Sequence, residues 1–388
     1  MAKKKVVVDK AIKKDNTVID AKKAALTEMM KEINKKSGHS VAQFGLPDVE
    51  YISTGINYLD QLIGGGLMAG RITTFMGMET SGKTSMAATM VAAAQRKDPN
   101  AVWMWLDFEN SLYNTGSNQT GGDAKRSWLE TLGVDTSRLV FIHSLETMEE
   151  YCNFCLTALR SDDTIINGIV IDSVGAMLPQ GVAYKKVGAN LKSKGLESDT
   201  MALLARSLGK FLSCVKGLLA KHKAPMLAIT HIYADIGNGG YSVPKGGNAF
   251  RHFSDLRLNL TKGPRVNWPF NEKEGDKPIY LGFEQVVTLD KTKNSNSRTP
   301  GTQINLPFIY GKGIDECRFL ANRAIYDGFI SQGGAYYYFD DNLSPTCVPK
   351  DRKNKIQGLK QFWNLVDSDV NLRNSLFEKY KGVDLFQE

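Results

Sequence analysis

Apolar residues fall along this chain in two rhythms. Short runs that are apolar almost without interruption (Arg71 to Gly77, Val102 to Asp107, Leu139 to Ser144, Gly168 to Val174 and Pro225 to Ile232) alternate with longer segments that are apolar every third or fourth residue, namely Lys83 to Arg96, Glu146 to Arg160 and Leu196 to His222. The short runs suit strands covered on both faces and the longer period suits helices. The pattern therefore predicts an α/β fold, a mostly parallel sheet with helices on both sides. Leu256 to Lys262 and Phe283 to Lys291 read as further strands in hairpins, and helical spacing returns from Asp315 around a short aromatic strand, Ala335 to Phe339. Upstream, Asp20 to Lys36 puts Ala24, Ala25, Leu26, Met29, Met30 and Ile33 on one side of a helix ending near Ser37-Gly38, after a Lys-rich stretch without periodicity. Pro47 and the Ser53-Thr54-Gly55 turn open the main domain. The expected partition is a basic tail and N-terminal helix (1–45), a core (46–314) and a small α+β module (315–388).

Composition narrows the class. With 42% hydrophobic and 23% charged residues the chain matches ordinary globular proteins, and no stretch of about 18 apolar residues offers a membrane span. The apolar run after the basic N-terminus stops at Asp9, short of a secretory signal, so a soluble protein in a cytoplasmic setting, with no membrane partner, is expected. Five scattered cysteines do not make a disulfide framework; Cys152 and Cys155 read as two helical thiols one turn apart, since no second pair or nearby His completes a metal or redox site. A net charge of +8 permits a polyanionic partner without requiring one.

Chemistry enters at Gly77-Met78-Glu79-Thr80-Ser81-Gly82-Lys83-Thr84, followed by Ser85, between a predicted strand and a predicted helix. In this spacing the glycines let the backbone turn and aim amides at phosphate oxygens, Lys83 supplies charge to the β- and γ-phosphates, and the Thr84 hydroxyl can bind Mg²⁺. ATP with Mg²⁺ is the expected cofactor pair. The metal needs a carboxylate at the end of another buried strand, and Asp172 closes Gly168-Ile-Val-Ile-Asp172. Glu109, just past the strand Trp103 to Asp107, is the candidate to orient and polarise the attacking water; spacing alone also allows a helix-starting or surface acid there. Asp107 reads as a structural partner. His231 ends a fourth strand where γ-phosphate could be sensed, although a single histidine is more often structural.

Together these segments resemble the RecA family of strand-exchange recombinases. Ile52-Ser-Thr-Gly55, Gly64-Gly-Gly66-Leu67 and Gly70-Arg71-Ile72 precede the phosphate loop as in that family, and Gly133-Val134-Asp135, Ile171-Asp172-Ser173-Val174, Gly246-Gly247-Asn248-Ala249 and Tyr310-Gly311-Lys312-Gly313-Ile314 follow in its order. The resemblance spans roughly residues 20 to 380. It implies a RecA-type P-loop NTPase core, with Glu109 as catalytic glutamate and Asp172 as the metal-associated aspartate. Trp128 falls where the family stacks an aromatic on adenine, or is simply a core tryptophan. Lys291 and Lys293 match a lysine pair that reaches the ATP of the adjacent subunit; read alone they are a solvated edge-strand pair. Two segments look like DNA-binding loops: about 179–199, with Lys185, Lys186, Lys192 and Lys194, and about 233–247, with Tyr241, Lys245, Gly246 and Gly247; Asn248, just after the second, is a further candidate contact. Lysines neutralise phosphates and an aromatic can stack on bases, yet either segment alone could be an ordinary mobile loop. Arg206 is a further candidate DNA contact.

The function implied is a DNA-dependent ATPase that forms a helical homo-oligomeric filament on single-stranded DNA and catalyses homologous pairing and strand exchange. Its C-terminal module would contact double-stranded DNA, and an ssDNA-binding protein and loading mediators are further implied partners. A ring-forming helicase motor and a non-catalytic ATP-gated mediator are the competing readings. Departures from the family pattern are His231, where many bacterial members have glutamine and some phage recombinases have histidine, and extra residues between Glu109 and Trp128. The chain also ends Tyr380 to Glu388 without an acidic tail, from which weaker autoinhibition of duplex binding is expected.

Overall fold

The computed structural model describes residues 22–112, 127–161, 166–187, 190–193, 200–235, 241–244, 249–267, 280–340, 343 and 355–386, and only the backbone of those within 185–202 and 233–248 and of Asn267 and Tyr280. The chain divides into two units, 1–50 and 51–388. In the first, helix α1 (22–37) is followed by a loop that folds back on it: the Asn34 side chain accepts from the Val41 and Ala42 amides at 2.8 and 2.9 Å and donates to the Ala42 carbonyl. Leu26, Met29 and Ile33 of α1 are exposed.

The second unit opens with β1 (Tyr51–Ile52), α2 (Asn57–Ile63) and β2 (Leu67–Met68), the two strands pairing antiparallel. Strands and helices then alternate: β3 (Ile72–Gly77), α3 (Lys83–Lys97), β4 (Trp103–Asp107), α4 (Trp128–Thr131), β5 (Leu139–Ile142), α5 (Met148–Arg160) and β6 (Gly168–Asp172). Next come α6 (Gln180–Ala183), the hairpin β7 (Tyr184–Val187) and β8 (Asn190–Ser193), α7 (Thr200–His222), β9 (Met226–Asp235), β10 (Tyr241–Pro244) and α8 (Ala249–Phe253). The unit's main sheet is completed by β11 (Leu256–Asn267), β12 (Tyr280–Thr292), β13 (Gln303–Ile309) and β14 (Gly313–Ile314).

That sheet has the order β14-β13-β12-β11-β3-β9-β6-β4-β5, with β10 on β9. The six strands from β11 to β5 are parallel and β12 to β14 are antiparallel, so the sheet is mixed. Strand side chains alternate between faces, and here both faces are buried. Phe75, Trp103, Trp105, Val170, Leu227 and Ile229 pack with α2 and α3 on one side, whereas Met104, Leu106, Ile169, Ile171, Met226 and Ala228 pack with α5 and α7 on the other. This double burial is why the strands read as continuous apolar runs.

Several local boundaries differ from the sequence reading, among them β11, which runs on to Asn267, and β12, which spans Tyr280–Thr292, because the two pair with each other over their length. β6 ends at Asp172 rather than Val174, because its neighbour β4 ends at the paired residue Asp107 and the ladder has nothing further to bond; a 3₁₀ turn, Val174–Ala176, follows. β9 runs to Asp235, beyond Ile232, since β10 supplies a partner where β3 and β6 have stopped. The 179–199 segment, read as a loop, contains α6 and the antiparallel pair β7–β8, in which each strand supplies the other's backbone hydrogen-bond partners.

The C-terminal part comprises α9 (Glu316–Tyr326), β15 (Ile330–Gly333), β16 (Tyr336–Phe339), β17 (Lys355–Gln357), α10 (Leu359–Ser368) and α11 (Val370–Lys379), and has its own apolar cluster around fully buried Phe362, which stacks on Tyr337 at 4.4 Å. It is seated on α2: the Asn57 amide donates to Glu316, and Tyr58 stacks on Phe319 with ring centroids 4.6 Å apart. Among the described residues no helix is long and apolar enough to cross a membrane.

Packing at the start of β6 gives a stability test. A Cβ at Gly168 would lie 2.5 Å from ring atoms of fully buried Trp103, whereas one at Gly209 in α7 would meet nothing within 4 Å. Gly168→Ala should cost about 1–3 kcal/mol by overpacking, and Gly209→Ala should stabilise by roughly 0.5–1 kcal/mol through helix propensity. Urea denaturation of both variants checks the contrast; equal midpoints would contradict the packing described.

Candidate active site

The turn between β3 and α3 is forced close to the sheet. A Cβ at Gly77 would be 2.3 Å from the Leu260 carbonyl oxygen, and Gly82, the residue before α3, has φ +85°, a left-handed conformation that glycine adopts without strain. Gly82 brings no capping side chain, and the first turn of α3 carries no acid. The first amides of α3 thus face a cleft of about 740 Å³ with the helix dipole behind them, which is an anion site by construction.

Glu79, Thr80, Gly82, Lys83, Thr84 and Ser85 line this cleft, while Ser81 is buried and Met78 exposed. Lys83 donates to the Gly77 and Met78 carbonyls at 3.0 and 2.7 Å. Burial pulls its pKa down to about 8, against the pull of Asp172, Glu109 and Glu79 in the other direction. Lys83 is thus a buried cation ringed by carboxylates at the mouth of the helix.

Asp172 and Asp107 sit side by side at the ends of β6 and β4 but do different things. Asp107 accepts from the Ser111 and Leu112 amides at 3.0 and 3.1 Å and so fixes the turn that carries Glu109. Asp172 is hydrogen-bonded by the Thr84 hydroxyl; its Oδ2 is buried and has no partner among the described residues. Burial, with the nearby Glu109 charge, raises its pKa from 3.8 to about 7. A buried, unpartnered carboxylate oxygen beside a threonine hydroxyl fits a divalent cation bound with a nucleotide. No cluster of three or more His, Cys, Asp or Glu exists among the described residues to hold a metal on its own.

Glu109 is held from two sides. Its Oε1 accepts from the Ser173 hydroxyl and lies 3.0 Å from His231 Nε2. His231 is on β9, paired in register with Gly77, so three strands converge on one carboxylate. Across the cleft stand Phe283 and Phe308, stacked at 4.8 Å, with Tyr310 beyond them and Trp128 on another wall. Trp128 is 37% exposed and lines the cleft; it is not a core residue.

Other expected site residues lie elsewhere. Lys291 and Lys293 are at the opposite end of the sheet: Lys291 pairs with Arg257, one residue into β11, where β11 runs beside the start of β3. Lys291 donates to the Arg251 carbonyl at 2.8 Å, and Lys293 to Asp255 at 2.9 Å, which also binds Lys216. Neither lysine lines the cleft of its own chain. Arg206 is exposed on α7. Lys194, Lys245, Gly246, Gly247 and Asn248 lie outside the described residues, as do the side chains of Lys185, Lys186, Lys192 and Tyr241.

The family model for the RecA N-terminal domain matches residues 21–315. The chain belongs to the RecA family. It is similar to Protein RecA of Clostridium novyi (26% identical, covering 94% of this chain and 93% of that one). Protein RecA of Wigglesworthia glossinidia brevipalpis is 26% identical (96% and 99% covered), and that of Fusobacterium nucleatum 30% (85% and 82%). The mixed sheet under two helical layers, entered through the phosphate loop, is the RecA-type P-loop core. Within it, sequence reasoning did not single out the hydroxyl of Ser173, the paired rings of Phe283 and Phe308, or Gln285, whose amide donates to the Ser81 carbonyl at 2.6 Å. The first lay inside a quoted motif; the others depend on the β12–β13 register, which no local pattern reports.

The raised pKa of Asp172 has a signed consequence. A carboxyl whose folded-state value exceeds its unfolded one costs stability progressively as pH rises from about 4 to about 7, each unit being worth about 1.4 kcal/mol. Asp172→Asn removes that cost. In chelator, without nucleotide, its advantage in melting temperature over the unsubstituted chain should widen across that window and stay constant above it. A margin independent of pH would show that Asp172 is not a buried, strained acid.

Proposed function

We propose that the chain is a DNA-dependent ATPase that assembles on single-stranded DNA as a helical filament and catalyses homologous pairing and strand exchange. The observation that carries this reading is the 3.0 Å contact between Glu109 and His231, because it joins the hydrolytic acid to the strand that leads into a candidate DNA segment.

In the hydrolytic step Glu109 accepts a proton from water as the water oxygen attacks the γ-phosphorus and the bond to the ADP oxygen breaks. Lys83 and the first amides of α3 stabilise charge on the phosphate oxygens. Mg²⁺, when bound, neutralises the β- and γ-phosphates; the Thr84 hydroxyl, and Asp172 through water, would hold it. Trp128 and the Phe283–Phe308–Tyr310 group offer aromatic faces for the adenine. His231 Nδ1 is buried without a partner among the described residues, so the imidazole's open contact is through Nε2, which a γ-phosphate and Glu109 would share. Exchange of that bond is felt along β9 and into the β9–β10 hairpin, within the segment expected to grip DNA. Relatives named Protein RecA support the recombinase reading.

Assembly is supported by two features of the single chain. Lys291 and Lys293 stand at the end of the sheet remote from their own cleft, where they suit a neighbour's nucleotide, and Leu26, Met29 and Ile33 of α1 are exposed. Binding of ATP then favours the extended, DNA-holding assembly, and hydrolysis releases it.

Glu109→Gln should lower DNA-stimulated ATP turnover by at least about 100-fold while leaving ATP-dependent DNA binding intact. Retained turnover would remove Glu109 from its role. A joint-molecule assay should give product with homologous and none with heterologous duplex. Closed hexameric rings on ssDNA, in electron micrographs with a non-hydrolysable analogue, would instead favour a helicase motor.

A further inference from the structure

A glutamine in the middle of a buried strand is an awkward choice, since its amide must be hydrogen-bonded or it costs stability. Gln285 is in that position. It is fully buried in β12, flanked in the ladder by Lys262 and Leu306, and its Oε1 has no partner among the described residues. Among the described residues its side chain makes one bond, which leaves the sheet: Nε2 donates to the Ser81 carbonyl in the phosphate loop at 2.6 Å. An apolar residue would fill the same space without burying an orphaned acceptor, so packing does not account for the glutamine.

The geometry of a peptide unit does. In a trans peptide the carbonyl and the following N–H point in opposite directions. The Ser81 carbonyl and the Gly82 N–H belong to one such unit, so drawing the carbonyl inward to β12 turns the Gly82 amide outward to the cleft. The approach is close enough to exclude a side chain: a Cβ at Gly82 would be 2.5 Å from Gln285 Nε2 and 3.2 Å from the Phe308 ring. The loop is therefore held from β12 at the Ser81–Gly82 peptide, with the Phe308 ring of β13 close beside it.

We infer that Gln285 is a positioning residue of the nucleotide site. It holds the Ser81–Gly82 peptide so that its amide meets a phosphate, and touches neither nucleotide nor water itself. This rests on the ATP-binding reading above and adds a residue on a strand outside the phosphate-loop motif.

Two variants test it in the full chain. Gln285→Met keeps length and removes the donor, while Gln285→Glu keeps shape and sets an acceptor against the Ser81 carbonyl. A fluorescent ATP analogue with Mg²⁺ is titrated, and KM and kcat are measured with ssDNA alongside melting temperature without nucleotide. Gln285→Met should weaken analogue binding and raise KM about tenfold, with kcat within about twofold, as loss of one buried hydrogen bond predicts; melting temperature should fall only modestly, because the Ser81 carbonyl loses its donor while the orphaned Oε1 is removed. Gln285→Glu should lose more. Unchanged analogue affinity in Gln285→Met would overturn the inference, as would a fall in kcat and melting temperature at constant KM, which marks a packing role. No binding to the unsubstituted chain would instead overturn the ATP reading on which it stands.

Discussion

The cleft exists because α3 begins one short loop beyond an almost wholly buried strand, β3, and follows a glycine in left-handed conformation. With no side chain to cap it and no acid in its first turn, the helix presents its dipole and its first amides to the cleft. The other polar groups arrange themselves around that positive end. Burial draws the Lys83 pKa down to about 8 against the opposing pull of three carboxylates; that of Asp172 is raised to about 7; Glu109 is shared between Ser173 and His231. Without the uncapped helix there would be no reason to bury so many ionisable groups together, and their mutual cost would be uncompensated.

The sheet decides which of these groups can meet. Parallel strands place their C-terminal ends at one edge, so Gly77, Asp107, Asp172 and His231, distant in sequence, arrive together. That much was legible in the chain, because doubly buried strands announce themselves as apolar runs and three of those runs carry Asp107, Asp172 and His231 at or near their ends. The separation of roles between Asp107 and Asp172 was half legible: both end strands, and only the local turn at Ser111 and Leu112 shows that Asp107 is committed to backbone amides. Trp128 could be read as stacker or core residue because a short capped helix looks the same in either setting; its exposure is a tertiary fact.

What stayed hidden belongs to strand register. Phe283 meets Phe308, and Gln285 reaches Ser81, because β12 lies between β11 and β13 with particular offsets and bulges, one of them beside Asp290. Hydrophobic period gives the identity of a strand, not which residues stand opposite each other. The pair β7–β8 was missed for a related reason: charge and glycine content point to what the segment binds, while its pairing depends on a register that composition does not fix.

β12 also joins two places that are otherwise far apart. Gln285 near its middle grips the phosphate loop, and Lys291 and Lys293 stand at its end and just beyond it, pinned to Arg251 and Asp255. In an assembly where those lysines serve the next subunit, one strand is a rigid rod with a different nucleotide at either end. A defect in it would not stay within its own subunit: each faulty copy mixed into an array of sound ones would spoil two sites, so activity would fall faster than the fraction of faulty chains.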